Sequence, residues 1–344
     1  MPIATPIRTV RTARTSIASW LTRRYLSRLR RKGTTLDLNA LSKLPEPALL
    51  PLRRNGLDPV PEIGALRDRE PVSRLPVPAV PVWLVTGYDE AKEVLGDARA
   101  FSNDFAHLVG TNGVAEHHEP GGLGFADPPD HTRLRRLVSK AFTPRRVAQF
   151  APRVQELTDG LIDGFAGRGE ADLIHEFAFP LPIYAICDLL GVPREDQDDF
   201  RDWAGMMIRH GGGPRGGVAR SVKKMRNYLA ELIHRKRADL GDDLISGLIR
   251  ASDHGEHLTE EEAAAMCFVL LFAGFETTVN LIGNGTYALL RNPAERARLQ
   301  RALAEGDEAL LDTGIEELLR YDGPVEMATW RYATEPLRIG GADI

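Results

Sequence analysis

The sequence predicts a mainly α fold with a small β portion (α+β), and three observations predict it. Residues 259–291 read as one helix that is apolar on every side near its middle. Most of the chain after Asp127 has helical spacing. Strand text is scarce, confined to residues 81–86 and the segment after Val325.

Composition bounds the rest. The chain has 344 residues, enough for one large domain or two ordinary ones. Its apolar share of 43% and charged share of 27% are those of a soluble globular protein. A formal net charge of -4 argues for neither nucleic acid nor an acidic surface as a partner. The two cysteines, Cys187 and Cys267, both stand in apolar helical text. A disulfide framework or zinc cluster needs more of them at closer spacing, so they read as core filler in a reducing, cytoplasmic compartment. No uninterrupted apolar run reaches about 18 residues, so no transmembrane helix is expected.

The elements follow in order. Residues 1–36 form a basic leader with no Asp or Glu before Asp37. Ile17, Trp20, Leu21, Leu26 and Leu29 make a loose apolar stripe beside Arg23, Arg24, Arg28, Arg30 and Arg31. Such a segment could lie on an anionic membrane or mimic a transit peptide; a disordered basic tail is the simpler reading. The folded part is then 37–344. Residues 44–81 are proline-rich and predict extended segments and turns. Residues 81–86 predict a strand, 88–95 a helix, and 101–124 a long loop punctuated by glycine. Asp127-Pro128-Pro129 starts a helix whose apolar face is Leu134, Leu137, Val138 and Ala141. Thr143-Pro144 ends it and starts the next, and 154–165 and 181–190 follow as further helices. Residues 211–217 are a glycine-rich break without the Gly-Lys-Ser/Thr ending of a phosphate loop. His117-His118 lacks a third ligand and reads as surface. Gly283-Asn284-Gly285 follows no strand and is no dinucleotide fingerprint, and a Gly-x-Ser-x-Gly elbow is missing.

The helix from Thr259 opens with a capping box, Thr259 and Glu262, and runs to Arg291 before Asn292-Pro293. Its length is about 45 Å or more at 1.5 Å per residue. Its middle reads Ala273-Gly274-Phe275-Glu276-Thr277-Thr278. Glycine and an acid are both poor choices inside a buried helix. Thr277 can turn its hydroxyl to the carbonyl of Ala273 and loosen the helix there. Gly274 lets a flat ligand or small molecule approach the backbone, and Glu276 adds a proton-exchanging group. A packing glycine beside an acid that reaches solvent explains the hexapeptide equally well.

Ala-Gly-x-Glu-Thr-Thr on a long central helix is similar to the oxygen-activation motif of cytochromes P-450. Two further stretches strengthen the resemblance. Glu317 and Arg320 stand three apart on a helix before Tyr321-Asp322-Gly323-Pro324-Val325, as the family's Glu-x-x-Arg pair does. Asp127-Pro128-Pro129-Asp130-His131-Thr132-Arg133-Leu134-Arg135 resembles the helix whose His and Arg hold the haem propionates; His131 and Arg135 share a face. Arg331 in Trp330-Arg331-Tyr332-Ala333 matches another propionate arginine.

The resemblance covers residues 37–344 and is strongest to the soluble bacterial branch. It implies a haem-dependent monooxygenase that inserts one atom of O2 into a small apolar organic substrate, with electrons from a ferredoxin or flavoprotein. Glu276 and Thr277 would be catalytic, with Ala273 and Gly274 against the cofactor. The substrate would lie beside Leu270 and Ala273 under the 101–124 loop. Glu317 and Arg320 would be structural. Arg133, Arg136 and Lys140 would be a solvated basic face for an acidic electron donor.

One departure is large. The family's iron-ligating cysteine follows the Glu-x-x-Arg helix, and the thiolate favours O–O cleavage. Here no cysteine follows Cys267. The expectation is therefore a chain incomplete at its C-terminus, inactive alone and without a metal ligand of its own. A haem-free remnant and a helical interaction protein are the alternatives.

Overall fold

The computed structural model describes residues 45–77, 81–104, 122–208, 217–253, 258–325 and 330–344. The leader, His117-His118 and nearly all of the 211–217 break lie outside them. The described residues divide into two compact units, those of 45–104 with 330–344, and those of 122–325.

The smaller unit is built from short antiparallel pairs. β1 (Arg54–Asn55) and β2 (Asp58–Pro59) form a tight hairpin, with Gly56 supplying the positive φ of its turn. α1 (Pro61–Arg69) follows with proline in its first turn. β3 (Val72–Leu75) pairs with β4 (Val82–Val85), Val72 opposite Val85. α2 spans Tyr88–Gly96. β5 (Phe101–Ser102) then pairs with β6 (Tyr332–Ala333), which arrives from the far end of the sequence. β7 (Arg338–Ile339) and β8 (Ala342–Asp343) close a hairpin over Gly340 and Gly341, both at positive φ. Val72, Phe101 and Ile339 are its buried centre, packed by Trp83, Val85 and Leu337.

Residues 44–81 are thus more regular than their proline content predicts. The hairpin and β3 escape a periodicity reading because strands of two to four residues carry too little alternation. The strand expected at 81–86 is present as β4, one residue shorter at each end.

The larger unit is helical in its described residues. α3 spans Asp130–Ala141, α4 Pro144–Asp163, α5 Pro180–Leu190, α6 Gln197–Ile208, α7 Gly217–Ala238 and α8 Leu244–Asp253. α9 is Glu260–Arg291, followed by α10 (Pro293–Glu305) and α11 (Glu308–Tyr321). Thr143 caps α4, accepting from the Arg146 amide at 3.3 Å. The helix expected at 154–165 is the second half of α4, which runs through Pro152 unbroken. Gly191 at φ 74 ends α5, and Gly306 at φ 70 ends α10.

α9 is the core of this unit. It packs on α7 and α5, and Ala263 to Phe268, Leu271, Phe275 and Val279 are buried. Phe275 meets Phe179 edge-on at 6.2 Å and Phe272 at 5.9 Å. By length and composition alone, α9 could cross a membrane. The absence of an uninterrupted apolar run did not predict this, because Gly, Thr and Asn interrupt the run without lowering its average much. In this fold the large apolar side chains of α9 from Phe268 to Val279 are buried or half-buried, while Tyr287 and Leu290 near its end are exposed.

Candidate functional site

The buried positions 268, 271, 275 and 279 of α9 recur at helical spacing and set one face inward. Another strip is left open: Ala273, Gly274 and Thr278 are exposed, with Glu276 and Thr277 half-buried beside them. Leu270 is half-buried and packs on the main core, so of the two expected substrate-wall residues only Ala273 lies on the open strip.

Gly274 separates the two readings of the hexapeptide. A Cβ placed there would meet Ile186 at 3.6 Å, an ordinary contact. Protein packing therefore does not require glycine at this position. Gly283 and Gly285 differ: a Cβ would stand 2.9 Å from Ile174 and 3.3 Å from Leu318. At those two positions a Cβ would crowd a neighbouring side-chain methyl; Gly274 keeps backbone bare on an exposed strip.

The Thr277 hydroxyl donates to the Ala273 carbonyl at 2.7 Å, and Thr278 does the same to Gly274 at 2.8 Å. The second bond was not foreseen, although both follow from the i−4 reach of a helical threonine. The expected loosening is not seen, since α9 stays α-helical from Glu260 to Arg291. A carbonyl has two lone pairs, so the hydroxyl can share it with the helical amide without displacing it.

α3 buries Leu134, Leu137 and Val138. His131 is half-buried on it and Arg135 exposed. The Gly122–Phe125 turn packs on both α3 and α9, with Gly124 near Val269. Arg136 and Lys140 are exposed, as expected. Arg133 is not part of that solvated face. It is half-buried and pairs with Glu262 of the α9 capping box. The capping box itself is complete: the Thr259 hydroxyl accepts from the Glu262 amide at 3.1 Å, and Glu262 accepts from the Thr259 amide at 2.9 Å. Burial works to raise the Glu262 carboxyl, but the hydrogen bonds from Arg133 and the Thr259 amide hold it below the usual range. An open cleft of about 650 Å³ is lined by Pro128, Pro129, Thr132, Arg133 and Arg136; neither His131 nor Arg135 lines it.

Arg331 belongs to the smaller unit, where it donates to Asn103 at 2.8 Å beside β6. Glu317 and Arg320 form a two-pronged pair, both bonds 2.6 Å, on an exposed side of α11. The guanidinium holds the Glu317 carboxyl below its usual range.

Haem can be tested against these residues. The bare strip of α9 suits the face of a porphyrin, and His131 and Arg135, as hydrogen-bond donors on one side of α3, suit its propionates. The thiolate is another matter. Cys187 and Cys267 are both fully buried and free, and burial raises both thiols, Cys267 to about 12. Neither is available to ligate iron. Among the described residues no cluster of His, Cys, Asp and Glu could hold a metal ion.

A long core helix with an open small-residue strip and a threonine pair, in a mostly helical chain with short sheets, is the pattern of a haem-dependent monooxygenase. The comparisons agree. The family model for cytochrome P-450 matches residues 65–199 and 213–344. The monooxygenase PikC of Streptomyces venezuelae is 45% identical over 291 residues, covering 83% of this chain and 68% of that protein. The vitamin D(3) 25-hydroxylase of Pseudonocardia autotrophica is 41% identical over 290 residues, 83% of this chain and 70% of that protein. The solved structure of OxyE, a cytochrome P-450 involved in teicoplanin biosynthesis, superposes with a TM-score of 0.74 at 33% identity, covering 88% of this chain and 76% of that one. The chain belongs to the cytochrome P-450 family. It is by family a monooxygenase, an oxidoreductase whose cofactor is haem.

Proposed function

We propose that α9 and α3 of this chain form the oxygen-side wall and the propionate clamp of a haem monooxygenase that hydroxylates an apolar organic substrate. The observation that carries the reading is the open strip of α9, where Gly274 is bare without a packing reason and Thr277 bonds the Ala273 carbonyl at 2.7 Å. Haem, when bound, supplies an iron that activates O2. His131 and Arg135 would hold its propionates through hydrogen bonds. Thr277 keeps a hydroxyl at the strip that can accept one proton while passing on another. Glu276, one residue earlier, exchanges protons with solvent. Ala273 borders the substrate, and its small side chain leaves room for a bulky apolar molecule, while Leu270 backs the strip from the core. Glu317 and Arg320 support the core around the cofactor. Electrons come from a ferredoxin or flavoprotein. The hydroxylase names of relatives such as the vitamin D(3) 25-hydroxylase and 6-deoxyerythronolide B hydroxylase support hydroxylation as the reaction. Two unpaired thiols fit a reducing cytoplasm.

Cys187 and Cys267, both buried, are assigned no ligand role in this reading. The test is haem titration of the chain followed by a carbon monoxide difference spectrum. Haem uptake that falls in H131A and R135A, without a thiolate-type band, is the expected result. A thiolate-type band from this chain, or uptake indifferent to both substitutions, would overturn the reading.

A further inference from the structure

The pairing of Arg133 with Glu262 joins the two helices on which the proposed site stands. The body of α3 packs on α8 and on the Gly122–Phe125 turn. Its contact with α9 is made by a long side chain reaching the first turn of that helix. At about 100° per residue, Arg133 and the His131–Arg135 edge border the apolar stripe of Leu134, Leu137 and Val138 on opposite sides. An apolar stripe tolerates rocking of its helix, because its contacts have no direction. A hydrogen-bonded guanidinium does not. Fixing Arg133 on one flank therefore fixes the tilt of the other.

The acceptor is itself held. One Glu262 oxygen takes the Thr259 amide at 2.9 Å, which leaves the other aimed at Arg133. The side chains are 31% and 14% exposed, so solvent screens the pair poorly. The Glu317–Arg320 pair, by contrast, lies within one helix, with side chains more than half exposed.

We infer that Arg133 and Glu262 are positioning residues, which set the rotation of α3 on α9 and so aim His131 and Arg135 at an anionic ligand edge. The inference rests on the haem reading of that edge. Its test has two arms on the full chain. In the first, haem affinity is measured for R133Q, E262Q and the double variant, with R133K as the charge-retaining control. Each single change is expected to weaken uptake about tenfold, the double no more than either, and R133K to restore most of it. In the second, spin labels at Ser139→Cys and Asn280→Cys report the distance between α3 and α9 without haem; the native thiols are buried and do not label. The distance distribution should broaden in R133Q and E262Q and stay narrow in H131A. E262Q keeps a hydrogen-bonding side chain in the capping box, so it serves if R133Q fails to fold. A distribution unchanged in both variants overturns the inference. If the unaltered chain takes up no haem, the haem reading falls, and the label distances alone judge the pair.

Discussion

Gly274 is the residue at which stability and function pull apart. Glycine inside a helix costs about 0.5–1 kcal/mol relative to alanine, and nothing in the protein forbids a methyl there. Gly274→Ala should therefore raise the urea midpoint of the chain while weakening haem uptake. Equal or lower stability would show that the glycine serves packing after all. The cysteines give a second prediction at this scale. With both thiols buried and shifted upward, iodoacetamide should leave Cys187 and Cys267 unmodified in the native chain and alkylate both in denaturant, as read by mass spectrometry. The Thr277 bond was legible in the sequence because donor and acceptor are four residues apart, a distance set by the helix. The partner of Arg133 was not, because Glu262 lies 129 residues away and only the fold brings it near.

Single elements show where local text suffices. The capping box of α9 was readable because Thr259 and Glu262 satisfy each other within one turn. Thr259→Ala should cost about 1 kcal/mol of stability, measured by denaturant unfolding. Glu262 adds a pH dependence whose sign is fixed. Its folded pKa lies below the reference of 4.5, so its stabilisation is present above that value and lost as pH falls through the folded one. E262Q should therefore flatten the acid limb of the stability curve relative to the unaltered chain. A different cluster ties α7 to α8. Lys236 pairs with buried Asp243 at 2.8 Å, and Asp243 also accepts from the Ser246 amide and hydroxyl at 2.9 and 3.0 Å. Gly191 makes room for both; a Cβ there would come within 2.6 Å of each. Lys236→Met should destabilise the chain by about 3 kcal/mol, since it strands a buried carboxylate. A loss near zero in the same unfolding assay would show that Ser246 alone satisfies Asp243. Nothing in the local sequence announced this cluster, because Gly191, Lys236 and Asp243 each look like ordinary helix-end residues.

The whole molecule was legible in outline and not in its joints. Long amphipathic and apolar periods announced the helical unit, whereas two-residue strands left no period to read. The pairing of β5 with β6 could not have been read at all. It joins Phe101 to Ala333, which the residues of the whole helical unit separate in sequence. Most contacts of α9, in contrast, lie with helices inside its own unit.

That one strand pair carries a temporal consequence. A ribosome has synthesised every helix of the larger unit before Tyr332 emerges, so β5 waits without its partner while the bundle assembles. Closing so wide a loop is entropically expensive and slow, and it is cheapest once the intervening chain has already condensed. Amides of α9 should accordingly gain protection from exchange ahead of those at Phe101 and Ala333 in a pulse-labelled refolding experiment. Simultaneous protection would mean that the β5–β6 pair forms together with the bundle and does not wait for it.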